Sequence, residues 1–87
     1  MTEIQSEELL EFFKALSDAN RLKIVGILAK QPRNVEQIAK DLGVSVSTVS
    51  HHLSYLSHVG LVEARAQGHY YIYSLKTETL RAMAQHL

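Results

Sequence analysis

One break constrains this chain more than any other feature: at Leu42-Gly43-Val44-Ser45 a short helical period stops and another begins. Glycine suits the left-handed position just past a helix end, and a serine two residues on suits the N-cap of the next helix. Beyond the break Val46, Val49, Leu53 and Leu56 recur at spacings of three and four, the apolar stripe of an amphipathic helix. Among them stand Ser47, Thr48, Ser50, His51 and His52. That second face is too polar for a core and too uncharged to serve solubility alone. Short hydroxyls and imidazoles let a helix lie deep in a groove, where they reach base edges and phosphates. Two short helices across a tight turn, the second carrying such a face, read as a helix-turn-helix. DNA recognition is the first expectation.

The rest of the chain supplies packing around that pair. Leu9, Leu10, Phe12, Phe13 and Leu16 predict a helix over 6–16 with a broad apolar face. Ser17-Asp18 offers a cap for a second helix to about Lys30. Its Leu22, Ile24, Val25, Ile27 and Leu28 are apolar nearly all round, so it is expected to be the buried centre. Gln31-Pro32 ends it. Asn34 with Gln37 three residues on forms a capping box for a third helix to Leu42. The fourth helix is expected over 45–59, with Gly60 closing it. From Leu61 the period switches to two: Leu61–Ala66 and His69–Leu75 flank Gln67-Gly68, a tight hairpin signal that makes 62–75 a β-wing. Thr77 is expected to cap a last helix, 77–87, holding Leu80, Met83, Ala84 and Leu87. The predicted class is mostly α with a small β-hairpin, a winged helix-turn-helix of order α-α-α-α-β-β-α.

Eighty-seven residues fit one domain, 1–87, near the lower limit for a chain that buries its own core, a limit that dimerisation relieves. With no cysteine, the chain has no disulfide, thiolate metal site or thiol sensor of its own. No apolar run approaches the roughly 18 residues of a membrane span and no signal-peptide pattern opens the chain, so a cytoplasmic protein without a membrane partner is expected. The net charge is zero but unevenly placed. Residues 1–20 hold Glu3, Glu7, Glu8, Glu11 and Asp18 against Lys14 alone. Residues 21–76 hold Arg21, Lys23, Lys30, Arg33, Lys40, Arg65 and Lys76 against Glu36, Asp41 and Glu63. That distribution suits DNA binding on one face and equally suits an ordinary mixed surface. No Gly-rich phosphate loop or nucleophile–base–acid set is present, and Ser50 and His51, as helix neighbours, diverge too far for proton transfer. Neither an enzyme nor a bound cofactor is expected.

With these elements in order, the chain resembles the ArsR/SmtB family of winged-helix repressors. Ala15–Ile24 looks like the family's motif at the start of its second helix, Val46–Leu53 is similar to its recognition-helix signature, and Gly60-Leu61-Val62 with Gln67–Leu75 matches the helix exit and wing. The resemblance implies a homodimeric repressor on an imperfect inverted repeat of double-stranded DNA, released by an inducer that the sequence does not identify. It implies dimerisation through 6–16 and 77–87. The two recognition helices of such dimers enter successive major grooves roughly 34–36 Å apart.

Carried over residue by residue, Ser47, Ser50 and His51 match the positions that contact bases and phosphates. Ser45 caps the helix and Thr48 is a candidate for phosphate. Val46 replaces a polar residue common there, offering a thymine methyl an apolar contact but no hydrogen bond. His51 and His52 point about 100° apart on a helix, so one faces DNA while the other packs or faces water. Tyr55 either extends the DNA face or packs on the wing. Arg65, Gln67 and His69 surround the wing tip, where a guanidinium binds phosphate strongly. Tyr70, Tyr71 and Tyr73 raise a stacking role on single strands, against which strand alternation places some of them in the sheet. Metal-sensing members carry cysteines before the turn or Asp and His on the last helix. The matching positions here hold Asn34, Thr77 and Thr79, poor ligands for a transition metal, so no metal is expected. Two other readings stay open: the DNA-binding part of a larger effector-domain protein, suggested by the abrupt stop at Leu87, and a winged-helix protein-interaction module.

Overall fold

A computed structural model describes residues 6–87, and Glu3 of the acidic first segment lies outside them. The elements run α1 (Ser6–Leu16), α2 (Ala19–Lys30), β1 (Arg33–Asn34), α3 (Val35–Leu42), α4 (Val46–His58), β2 (Val62–Gln67), β3 (Tyr70–Leu75) and α5 (Thr77–Gln85). This is the predicted mostly-α winged helix-turn-helix, with one addition. The two-residue β1 joins the hairpin to make a three-stranded antiparallel sheet in the order β1-β3-β2.

The caps fall where short polar side chains stand beside helical periods. Asp18 accepts from the Arg21 N–H at 3.0 Å to open α2. At α3 the box is reciprocal: Asn34 accepts from the Gln37 N–H at 2.8 Å and Gln37 accepts from the Asn34 N–H at 2.9 Å. Ser45 accepts from the Thr48 N–H at 3.1 Å to open α4. The last helix departs from expectation, because Thr77 is its first residue and not its cap. Lys76 holds the cap position without a side-chain hydrogen bond, and the helix ends at Gln85.

Helix α2 packs against α1, α3, α4 and β3 and is the central element, as expected, with Ile24 and Leu28 buried. It is not buried all round, however: Leu22 is 55% exposed. The core closes with Phe12 and Ala15 of α1, Ile38 and Ala39 of α3, Val49, Leu53 and Leu56 of α4, Leu61, Val62 and Met83. Large apolar side chains contribute roughly 1.5–3 kcal/mol each when fully buried. No polar or charged residue is buried among those described.

The hairpin turn sits one residue later than the sequence suggested. Gln67 pairs with Tyr70, so the loop residues are Gly68 and His69. Gly68 takes φ +62° while His69 stays at negative φ, placing glycine first in a two-residue loop as a type II′ turn demands. The Lys76 N–H donates to the Leu61 carbonyl at 2.9 Å and closes the base of the wing. Strand β1 pairs Arg33 with Tyr73 and Asn34 with Ile72. Asn34 therefore ends a strand and caps α3 at once, fixing the wing directly to the start of the helix-turn-helix. Among the described residues no helix is long and apolar enough to cross a membrane.

Candidate nucleic-acid interface

The turn between α3 and α4 is built by Gly43, whose φ of +71° lets the N–H groups of Gly43 and Val44 both donate to the Ala39 carbonyl, at 2.9 and 3.2 Å. An L side chain there costs roughly 1–2 kcal/mol. The chain leaves the turn through Ser45, and α4 is held by Val49, Leu53 and Leu56, each at most 1% exposed. Val46, whose spacing fits that buried stripe, is instead 43% exposed and belongs to the outer surface.

With the inner stripe fixed, the outer face follows from the helical period. Ser47, Ser50 and His51 are exposed together. Ser54 is exposed three and four residues further on, in register with them. It was not among the residues expected on this face, although the same spacing of three and four points to it. Ser45 is exposed and Thr48 is not buried either. Their hydroxyls are joined at 2.9 Å, with Ser45 donating to Thr48, so both are engaged at the helix start.

The histidine pair divides. His51 is exposed, whereas His52 is half-buried, with its Nδ1 buried and lacking a hydrogen-bond partner. Their ring centroids stand 6.0 Å apart. His52 lies on the side of Asp18, whose carboxyl is held below its ordinary 3.8 chiefly by the Arg21 N–H. The positive charges of Arg21 and His52 add to that shift, and desolvation opposes it. Tyr55 meets α2 from the inner side of α4. Its ring is half-buried under the Arg21 guanidinium, whose central carbon is 4.1 Å from the ring centroid. Arg21 in turn donates from Nε to the Ala15 carbonyl at 2.7 Å and from Nη2 to the Lys14 carbonyl at 3.4 Å.

In the wing, paired residues share a face. The register places Arg65 and Gln67 with Tyr70 and Ile72 on one side, and Ala64 and Ala66 with Tyr71 and Tyr73 on the other. Arg65, Gln67 and His69 are all exposed. Tyr70, 54% exposed, stands across from Gln67 and joins this group, a neighbour that strand alternation alone identifies once the turn is correctly placed.

Helix α4 carries no Asp, Glu, Lys or Arg. Positive charge comes from the wing through Arg65. Asn34 and Thr77, at the positions compared with metal ligands, are a helix cap and the first residue of α5. Among the described residues no group of three or more His, Asp or Glu is placed to hold a metal ion.

Residues 18–64, which span the helix-turn-helix and the start of the wing, match the family described as bacterial regulatory protein, arsR family. The Synechocystis sp. protein named transcriptional repressor SmtB homolog is 38% identical over 87 residues, covering 95% of this chain and 66% of that protein. The Listeria innocua protein named cadmium resistance transcriptional regulatory protein CadC is 44% identical over 66 residues, 75% of this chain and 56% of that one. The chain thus spans between about half and two thirds of the length of these two relatives. Among solved structures, the chain superposes with a TM-score of 0.81 and 32% identity on a domain from Mycobacterium bovis, covering 98% of this chain and 85% of that one. That structure is described as a homodimeric winged helix-turn-helix DNA-binding domain of a possible ArsR-family transcriptional regulator.

Proposed function

Since the chain belongs to the ArsR family of bacterial regulatory proteins, we propose that it is a sequence-specific DNA-binding transcriptional regulator, a homodimeric repressor acting in the cytoplasm on an inverted-repeat operator. The observation that carries this reading is the outer stripe of α4. Ser47, Ser50, His51 and Ser54 are exposed in one line on the second helix of the turn, while the opposite stripe is sealed into the core. A helix anchored so firmly on one side presents its hydroxyls and imidazole at a fixed depth. Serine hydroxyls donate or accept at either base type, so the stripe positions more than it discriminates. Val46, beside Ser50 on the exposed surface, offers an apolar contact to a thymine methyl. Arg65, Gln67 and His69 then meet the flanking backbone or minor groove, and Arg65 supplies a charge-assisted contact to phosphate. His52 and Tyr55 support this surface from behind.

Fluorescence anisotropy of the purified chain on the DNA upstream of its own gene tests the proposal. Submicromolar, salt-sensitive binding to an inverted repeat is the expected result. Affinity no better than for random duplex at the same salt concentration rejects it.

A further inference from the structure

On the outward side of α2, Lys23, Gly26, Ile27 and Lys30 fall on one stripe at spacings of three, one and three. Across from them stand Arg33 of β1 and Asp41 and Leu42 of α3, and together these residues line a groove of about 620 Å³. None of its lining residues belongs to α4 or to the β2–β3 hairpin. The groove has an apolar floor, Ile27 and Leu42, widened by the missing side chain at Gly26. Its rim holds three cationic side chains and one carboxylate, and that carboxylate is already engaged: Arg33 Nη2 donates to Asp41 at 3.0 Å. Arg33 Nε, by contrast, is buried and has no hydrogen-bond partner. A guanidinium carries five N–H donors and Asp41 takes one through Nη2, so the fork keeps donors for an anionic oxygen in the groove.

We propose that this groove binds a small organic anion, a carboxylate or phosphate carried on a short apolar body, with Arg33 as its principal contact. The apolar body rests on Ile27 and Leu42, and Lys23 and Lys30 add attraction from the rim. Occupation reaches the wing, because Arg33 pairs with Tyr73 of β3 while Asp41 belongs to α3. An anion at Arg33 competes with Asp41 for the guanidinium, and so weakens the tie between the sheet and the helix-turn-helix. The binding site itself does not depend on the DNA reading; only an effect on operator affinity does.

Nuclear magnetic resonance on the isotope-labelled chain without DNA tests both parts. Salicylate and phenyl phosphate, titrated separately at constant ionic strength, distinguish the two headgroups. Saturable amide shifts at Gly26, Ile27, Arg33 and Leu42, extending to Asn34 and Tyr73, are expected for at least one probe. The Gly26→Leu variant should weaken that binding by about tenfold or more. It fills the groove without disturbing the fold, since nothing lies within 4 Å of the added Cβ and leucine is the better helix former. Arg33→Gln should weaken binding at least as much. Non-saturating shifts, shifts spread over lysines elsewhere, or equal affinity in Gly26→Leu overturn the site. Groove shifts that stop short of Asn34 and Tyr73 overturn the link to the wing.

Discussion

Asp18 shows how much one short side chain does in this chain. It opens the central helix by accepting from the Arg21 N–H, and that bond is the largest cause of its lowered pKa. A carboxyl whose folded value lies below its unfolded one contributes stability that is fully present above the unfolded value. That contribution is lost as pH falls through the folded value. For Asp18 the loss therefore begins near 3.8 and continues below it. Asp18→Asn keeps a capping acceptor and removes the titration. Urea unfolding at a series of pH values should show the wild type losing more stability than the variant below that point; parallel pH profiles would remove the electrostatic account. A second contrast at this scale separates Arg65 from the serines. Arg65→Gln should weaken DNA binding about equally on all sequences, and lower the slope of log affinity against log salt by roughly 0.9 for each phosphate it leaves unneutralised. Ser50→Ala combined with His51→Ala should keep that slope in place while eroding preference for the operator. Indistinguishable salt slopes in anisotropy titrations of the two variants would reject this division of roles.

Between elements, the connection that most affects the candidate interface is Arg21. It bonds the carbonyls that end α1 and stacks on Tyr55 of α4, so one side chain from α2 joins three helices. Arg21→Ala should cost about 2 kcal/mol, since hydrogen bonds to charged groups contribute roughly 1.5–3 kcal/mol and an exposed cation–π contact about 0.5–1. A double-mutant cycle with Tyr55→Leu isolates the stack, and a coupling of about 0.5–1 kcal/mol by urea denaturation is expected. Zero coupling would mean that the two side chains are neighbours without an energetic link. Arg21–Tyr55 also marks where the sequence became illegible. The caps at Asp18, Asn34 and Ser45 and the turn at Gly43 were readable because each interaction closes within a few residues. Strand β1 was not, because two residues carry no period and its partner lies near the other end of the chain. Val46 fits the three-and-four spacing yet sits in the first turn of α4, beyond the reach of the core. The hairpin was displaced by one residue because glycine suits either side of so tight a loop until the pairing register decides.

For the molecule as a whole, the deciding quantity is apolar surface left uncovered. Leu10 and Phe13, three residues apart on α1, are 57% and 44% exposed, and Leu22 is 55% exposed. Exposed apolar surface of this kind marks an interaction face, and the proposed homodimer places a second copy over it. Leu10→Glu with Phe13→Glu tests the proposed dimer without attacking the protomer. Substitutions at exposed positions usually change stability by no more than about 0.5 kcal/mol, whereas two carboxylates desolvated at an interface are strongly unfavourable. Sedimentation should find a dimer for the wild type and a monomer for the variant, and the wild-type melting temperature alone should rise with protein concentration. Operator affinity should fall on the order of a hundredfold in the variant, because two half-sites then have to be held by separate molecules. A dimer that survives both charges would move the interface off α1, and a wild-type monomer that still prefers an inverted repeat would leave the two-fold reading without a basis.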